Sequence, residues 1–83
     1  MPVFHYYTRR GCHLCEQMLE ELLPLLRGKA DIEMRDVDTD ENWLREFDIR
    51  VPVVEYEGRV VTEFPLKREA VLELLAEISP NGA

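Results

Sequence analysis

The chain has 83 residues, 46% of them hydrophobic, and its 17 acidic and 10 basic side chains give a formal net charge of −7. This length and apolar content suit one folded domain covering residues 1–83 rather than a disordered chain. No segment reaches the roughly 18–20 apolar residues of a membrane helix, and the acidic balance disfavours nucleic-acid binding. We therefore expect a monomer that binds neither membrane nor nucleic acid.

The chain contains two cysteines, Cys12 and Cys15. A bridge between them would close a very small loop, so a purely stabilising role is a weak explanation for the pair. Segment 1–7 lacks the basic and apolar stretches of a secretory signal peptide. These features predict a reducing cytoplasm, where a CxxC pair is more often catalytic or metal-binding than structural.

A strand is predicted over residues 3–8, where aromatic and β-branched side chains dominate. Tyr6 and Tyr7 of this strand are expected in the core. Helical spacing of apolar residues then predicts a helix over 12–27. Because proline has no backbone N–H, Pro24 should kink this helix or loosen its last turn. The buried side of the helix is expected to contain Cys15, Leu19, Leu22 and Leu26.

The middle of the chain predicts a second strand and a short helix. The strand covers residues 31–37, although Val37 breaks the alternation of its apolar side chains. Asp38 and Glu41 have the spacing of a capping pair, and they should open the helix. Its apolar side chains are Trp43, Leu44 and Phe47.

The last third of the chain predicts a hairpin and a final helix. Strands over 52–56 and 59–62 are joined by a tight turn at Glu57–Gly58. Pro65 suits the first turn of the helix that follows. The apolar face of this helix contains Ala70, Val71, Leu74, Leu75 and Ile78. The order β-α-β-α-β-β-α predicts an α/β fold with a four-stranded mixed sheet covered by helices on both faces.

The cysteine pair lies where the first strand gives way to the first helix. Only a thiolate attacks a disulfide, and a helix N-terminus stabilises such an anion. Cys12 is therefore predicted to be the exposed nucleophile, and Cys15, one turn further along, the shielded resolving thiol. Arg9, Arg10 or a protonated His13 should lower the pKa of Cys12 further.

Two other interpretations of the pair stay open. Cys12 and Cys15 can be ligands of a metal or cluster whose remaining ligands come from a second chain or from glutathione. Within this chain only His5 and His13 would complete such a set, and no spacing places His5 near Cys15. We therefore predict no metal ligand and no resident cofactor. The third interpretation is a non-catalytic adaptor that uses a groove at Val51–Pro52.

Pro52 begins a strand well after the cysteines, and a proline there fits only the edge or the start of a strand. The order of elements, the Cys12–Cys15 pair at the first helix and Val51–Pro52 before the hairpin resemble the thioredoxin superfamily over essentially the whole chain. The resemblance implies a three-layer thioredoxin-like fold. It also implies a cis Val51–Pro52 bond that faces the cysteines, and a substrate segment that pairs with the backbone of Val51.

Within the superfamily, the short length and the segments Gly11–Cys15 and Val51–Val53 are similar to the small bacterial glutaredoxin-like proteins. This similarity implies a thiol–disulfide oxidoreductase that reduces protein or glutathione mixed disulfides, with Cys12 and Cys15 as catalytic residues. The partners it implies are a disulfide-containing protein or glutathione, with glutathione as a candidate co-substrate, and a reductant of unknown identity. The residues expected to bind substrate are Arg10, His13, Arg50, Val51 and Pro52.

Three segments depart from the usual glutaredoxin pattern. His13–Leu14 stands between the cysteines where glutaredoxins usually have Pro-Tyr, and Arg50 stands where they usually have Thr before Val-Pro. The segment 62–65 contains no glycine, whereas glutaredoxins have a Gly-Gly turn followed by an acidic residue that holds glutathione. Arg9, Arg10 and Arg50 are the groups expected to attract the carboxylates of glutathione instead.

Overall fold

The structure, a computed structural model, describes residues 1–78. The end of the predicted domain, at residue 83, lies outside the described residues. The strands are β1 (Val3–Thr8), β2 (Asp31–Asp36), β3 (Val53–Tyr56) and β4 (Arg59–Glu63). The helices are α1 (His13–Leu26), α2 (Glu41–Phe47) and α3 (Arg68–Ile78), and a 3₁₀ turn at Val37–Thr39 lies between β2 and α2. The predicted order of elements is confirmed.

The four strands form one mixed sheet in the order β2-β1-β3-β4. β1 and β2 are parallel, whereas β3 is antiparallel to both β1 and β4. The hairpin between β3 and β4 turns at Glu57 and Gly58, which both have positive φ angles of 47° and 82°. This is the conformation of a type I′ turn, which matches the twist of its strands. The predicted tight turn is therefore confirmed.

Helices cover both faces of the sheet. Alternate residues of β1 point to opposite sides, so this strand contributes side chains to a core on each face. Phe4 and Tyr6 pack against α1 and α3 in the larger core, whereas Tyr7 packs against Phe47 of α2 in the smaller one. All four side chains are buried. The predicted three-layer α/β fold is confirmed, and within residues 1–78 no helix is long and apolar enough to cross a membrane.

Helix α1 differs from its prediction in one buried position. Met18 is completely buried, whereas Leu19 is half-buried at the edge of the larger core. The buried row therefore runs through Cys15, Met18, Leu22 and Leu26. The helix continues past Pro24 to Leu26, because Pro24 falls within the last turn, where the carbonyl it leaves unpaired belongs to an exposed residue.

The cap of α2 is Asp40 and not the predicted Asp38. The Oδ1 atom of Asp40 accepts hydrogen bonds from the backbone N–H groups of Asn42 (2.8 Å) and Trp43 (3.2 Å). Asp38 is instead paired with Arg9. The failed alternation at Val37 is explained by the 3₁₀ turn, which separates that residue from β2.

The start of α3 also differs from its prediction. Pro65 lies in the loop before the helix, which begins at Arg68, and the Phe64–Pro65 peptide bond is cis. The backbone N–H of Lys67 donates to Oγ1 of Thr62 at 3.1 Å, so the loop folds back on β4 before the helix starts. Of the apolar face predicted for α3, Val71, Leu74 and Leu75 lie inside the larger core, whereas Ala70 and Ile78 are half-buried.

Candidate functional site

Cys12 and Cys15 are joined by a disulfide bond at the start of α1, with their Cα atoms 5.2 Å apart. Cys12 is the N-cap residue and has an extended backbone, whereas Cys15 lies in the first helical turn. The predicted position of the pair at the junction of β1 and α1 is confirmed. This Cα separation lies within the usual range for a disulfide bond.

The two cysteines differ in exposure and in the contacts of their sulfur atoms. Cys15 is 2% exposed, as a shielded thiol should be, whereas Cys12 is half-buried rather than exposed as predicted, because it packs against the larger core. The backbone N–H of Cys15 lies 3.1 Å from Sγ of Cys12 and points its hydrogen at that sulfur. In the reduced protein, this N–H and the helix N-terminus favour a thiolate at Cys12. The arrangement suits an accessible nucleophile with a shielded second thiol.

The backbone of Cys15 has a second contact, which sequence reasoning missed. The hydroxyl of Tyr6 donates to the carbonyl oxygen of Cys15 at 2.6 Å. Tyr6 is completely buried, and burial, assisted by the nearby charge of Glu21, raises the pKa of its hydroxyl above the ordinary value. Tyr6 is therefore a neutral donor at physiological pH. The signal in the sequence is a tyrosine on the buried face of β1, because a buried phenol needs a polar partner.

Arg9 is engaged away from the cysteines. Its guanidinium forms ion pairs with Asp38 at 2.8 Å and with Asp48 at 2.9 Å, and it also donates to the backbone carbonyl of Asp48. The hydrogen bonds from Arg9 hold the pKa of Asp38 below its usual value. Arg9 thus ties the end of β1 to the segments around α2, and its charge is offset by two carboxylates rather than directed at Cys12.

Arg10 and His13 stand on either side of the Gly11–Cys12 segment and are both exposed. Within residues 1–78, neither side chain forms a hydrogen bond or an ion pair. Their donors are therefore available to a bound molecule in a way that those of Arg9 are not.

Arg50 forms an ion pair beside the predicted substrate-binding backbone. Its Nη2 lies 3.0 Å from Oε2 of Glu63, and its Nε lies 3.3 Å from Oε1 of the same carboxylate. The guanidinium also lies over the ring of Phe47, 5.2 Å from its centre. The hydrogen bonds to Glu63 raise the pKa of Arg50. The charge that was expected to attract a ligand is therefore already paired.

The Val51–Pro52 peptide bond is cis, as the family resemblance implied. The backbone N–H of Val51 donates to the carbonyl of Phe47 at 3.2 Å, so it is used at the end of α2. Val51 is half-buried and packs on both cores, whereas Pro52 is buried. Among the turn and loop hydrogen bonds of the described residues, none uses the carbonyl of Val51.

Two exposed apolar side chains near these segments were not predicted as site residues. Ile49 is 94% exposed and lies two positions before Val51, and Leu14 is 45% exposed and lies between the two cysteines. A lone isoleucine in a polar loop is normally interpreted as a core residue. Only the structure distinguishes a buried isoleucine from an exposed one at this position.

His5 does not join the cysteines. Its Nδ1 lies 3.0 Å from Oε1 of Glu55, and its Nε2 lies 3.2 Å from a guanidinium nitrogen of Arg35. In the part of the chain that the structure describes, no three His, Cys, Asp or Glu residues are grouped so as to hold a metal ion. Any cluster at Cys12 and Cys15 would therefore need ligands from another molecule.

Comparisons with known proteins agree with this geometry. The model of the glutaredoxin-like domain family matches residues 5–76. A structural-genomics target protein from X. campestris has 27% sequence identity and a TM-score of 0.68, and the match covers 89% of this chain and 96% of that protein. No curated protein sequence matches the chain.

Two thioredoxins share the fold. A mutant thioredoxin from Halobacterium salinarum has 21% identity and a TM-score of 0.60, and the match covers 90% of this chain and 72% of that one. Thioredoxin 1 from Thermosipho africanus has 22% identity and a TM-score of 0.62, with 94% of this chain and 98% of that chain covered. These two likenesses support the fold of the chain.

Proposed function

This chain belongs to the glutaredoxin-like domain family of the thioredoxin superfamily, and we propose that it is a dithiol oxidoreductase that reduces protein and glutathione mixed disulfides. The observation that carries the proposal is the asymmetry of its cysteine pair. Cys12 caps α1 and is half-buried, whereas Cys15 is fully buried one turn away. An accessible, stabilised thiolate with a shielded neighbour is what a two-step disulfide exchange requires.

In the first step, the Cys12 thiolate attacks one sulfur of the substrate disulfide. A bond forms between Sγ of Cys12 and that sulfur, the substrate disulfide bond breaks, and the other substrate sulfur leaves as a thiolate that takes up a proton. The backbone N–H of Cys15, 3.1 Å from Sγ of Cys12, supports the attacking anion. The product of this step is a mixed disulfide.

In the second step, Cys15 loses its proton and attacks Sγ of Cys12. The mixed disulfide breaks, the second substrate sulfur leaves as a thiolate, and the Cys12–Cys15 disulfide forms. The substrate gains two electrons, which the protein loses. A reducing thiol in the surroundings, such as two glutathione molecules that end as glutathione disulfide, returns the pair to the dithiol.

The substrate binds, in this proposal, across the exposed side of Cys12. Arg10 and His13 offer donors that no described residue uses, and Val51 offers its carbonyl to an extended segment beside the substrate cysteine. Arg50 contributes only when Glu63 releases it. The reducing cytoplasm predicted from the sequence is the compartment in which such a dithiol stays reduced.

A redox titration tests the proposal. The purified protein is equilibrated in buffers of varied glutathione to glutathione disulfide ratio, quenched with acid, alkylated and weighed by mass spectrometry. We expect Cys12 and Cys15 to interconvert as one two-electron couple, with glutathione adducts confined to Cys12. Failure to form the internal disulfide at any ratio would overturn the proposal. Stoichiometric zinc or iron after purification without chelators would instead favour the metal or cluster interpretation.

Two single variants separate the steps. Cys12→Ser should abolish turnover, because no nucleophile remains at the helix N-terminus. Cys15→Ser should attack normally and then stall, so a mixed disulfide accumulates on Cys12 and survives until an external thiol is added. Equal residual activity in the two variants contradicts the assigned roles. Activity that survives the removal of both thiols favours the adaptor interpretation.

A further inference from the structure

Both polar ends of the Cys15 backbone are held by hydrogen bonds. On one side, its N–H points at Sγ of Cys12, 3.1 Å away. On the other side, its carbonyl accepts the hydroxyl of Tyr6 at 2.6 Å. The contact of the N–H with Sγ depends on the position of the Cys15 backbone. The hydrogen bond from Tyr6 holds that backbone in place against β1. The Tyr6 hydroxyl is thus linked to Sγ of Cys12 through the backbone of Cys15.

The peptide group that accepts the Tyr6 hydroxyl also closes the first turn of α1. The carbonyl of Cys15 and the N–H of Glu16 belong to one peptide unit, and that N–H donates to the carbonyl of Cys12 at 3.1 Å. Hydrogen bonds in a chain polarise one another. Donation by Tyr6 therefore makes the N–H of Glu16 a stronger donor. This increases the partial positive charge at the N-terminus of the helix, where Cys12 lies.

The hydroxyl of Tyr6 is not needed for packing alone. Phe4, two residues earlier on the same face of β1, fills the same core without a polar atom. Tyr6 carries a hydroxyl into a fully buried place, where an unpaired one is costly. Its only described partner is the Cys15 carbonyl. The environment keeps the phenol neutral, so it remains a donor across the working pH range.

We propose that Tyr6 is a positioning residue of the cysteine pair, which holds the Cys15 peptide and thereby favours the Cys12 thiolate over the disulfide. The proposal rests on the proposed oxidoreductase function. The direction of the effect on the redox equilibrium follows from the charge of Cys12. The disulfide carries no charge at Cys12, so the polarised turn gains nothing there, whereas the thiolate is stabilised. Loss of the hydroxyl should make the dithiol form less favourable and the protein more reducing.

The test compares Tyr6→Phe with Tyr7→Phe. Each variant removes one hydroxyl from β1, but that of Tyr7 contacts Arg35 and Glu55 on the opposite face of the sheet. The reduced proteins are titrated from pH 4 to 10 by thiolate absorbance, and the rate of alkylation of Cys12 is followed at pH 6. We expect Tyr6→Phe to slow alkylation about two- to fivefold and to raise the pKa of Cys12. Tyr7→Phe should match the wild type in both.

The redox equilibrium with glutathione gives an independent reading. Tyr6→Phe should shift it toward the disulfide by about the same two- to fivefold factor. If the wild-type pair cycles but Tyr6→Phe has an unchanged thiolate titration and equilibrium, the proposal for Tyr6 is overturned while the oxidoreductase function stands. If the wild type itself shows no couple, the proposed function has failed first.

A second substitution covers the case in which Tyr6→Phe does not fold. 3-Fluorotyrosine at position 6 keeps the ring and the hydroxyl but donates a stronger hydrogen bond. It should lower the pKa of Cys12 and speed alkylation at pH 6, the opposite of the phenylalanine variant. An unchanged or slower rate with a folded protein, checked by near-ultraviolet circular dichroism, counts against the proposal.

Discussion

The guanidinium of Arg50 and the carboxylate of Glu63 form a two-point ion pair, with the shorter N–O distance at 3.0 Å. Both side chains are partly exposed. Arg50 directly precedes Val51, whose carbonyl is the proposed contact for a substrate backbone. A ligand carboxylate that approaches Cys12 from this side would therefore have to compete with Glu63 for Arg50.

Removal of the competing carboxylate should strengthen binding of anionic substrates. We expect Glu63→Gln to lower the KM for a glutathione mixed disulfide about two- to fivefold, because the freed guanidinium can pair with a glutathione carboxylate. The rate is measured with a glutathionylated peptide at about 20 and about 300 mM NaCl. The gain should shrink at the higher salt concentration, because the partly exposed pair is screened.

Glu73→Gln is the matched control for this change. Glu73 is exposed on α3, so the substitution removes the same charge without touching Arg50. If both variants lower the KM equally, the effect comes from the net charge of the protein and not from the Arg50–Glu63 pair. A KM that Glu63→Gln leaves unchanged would mean that Arg50 does not meet the ligand.

The unequal exposure of the two thiols predicts their order of modification. When the reduced protein is treated with limiting iodoacetamide at pH 7, we expect Cys12 to react about tenfold faster or more than Cys15, which is 2% exposed. Fragmentation of the peptide that holds both residues assigns the site. In 8 M urea the difference should vanish, because it depends on folding. Preferential labelling of Cys15 in the folded protein would reverse the proposed roles.

The sequence was sufficient for the architecture and for the position of the cysteine pair. The aromatic and β-branched content of β1, the helical spacing over α1 and the tight turn at Glu57–Gly58 are local patterns, and each one agrees with the fold. The position of Cys12 at the start of α1 followed from the same periodicity, whereas its role as the N-cap is seen only in the structure. The family resemblance supplied the cis Val51–Pro52 bond, which no local pattern gives.

The partners of the polar side chains could not be predicted from local sequence patterns or from the family resemblance. Asp38 and Asp40 both precede α2 in the sequence, but in the structure Asp40 caps the helix, whereas Asp38 lies in the 3₁₀ turn and pairs with Arg9. Arg50 and Glu63 lie 13 residues apart and meet because β4 returns beside β3. Contacts of this kind depend on register and on side-chain reach, which a single sequence leaves open.

The Arg9–Asp38 pair should give the protein an acid-sensitive component of stability. Because hydrogen bonds from Arg9 lower the pKa of Asp38 in the folded state, this contribution is present above the ordinary value of 3.8 and is lost as the pH falls through the lower folded value. We expect the difference in free energy of unfolding between wild type and Asp38→Asn to be constant from pH 5 to 7 and to shrink below about pH 4.

Urea denaturation at half-unit steps from pH 3 to 7 measures this difference. Asp31→Asn is the control, because Asp31 is exposed at the start of β2 and forms no ion pair within residues 1–78. The pH profile of Asp38→Asn is compared with that of this variant. A difference for Asp38→Asn that stays flat below pH 4 would show that the ion pair adds no net stability in solution.

Ile49 should contribute to recognition of protein substrates. An isoleucine that is 94% exposed gains free energy only when another molecule covers it, and its loop leads directly into Val51. We expect Ile49→Ser to raise the KM for a protein disulfide about three- to tenfold, which corresponds to partial burial of one such side chain. Turnover of a small disulfide such as hydroxyethyl disulfide should be unchanged, because that substrate does not reach Ile49.

Leu72→Ser separates docking at this loop from a general loss of surface hydrophobicity. Leu72 is 40% exposed on α3, and its replacement should leave both substrates unaffected. Because Ile49 makes so little contact with the folded chain, Ile49→Ser should unfold at the same urea concentration as the wild type. A fall in activity toward both the protein and the small disulfide would therefore place the defect in the cysteine pair itself. A KM for the protein disulfide that does not change would mean that the substrate approaches Cys12 from another side.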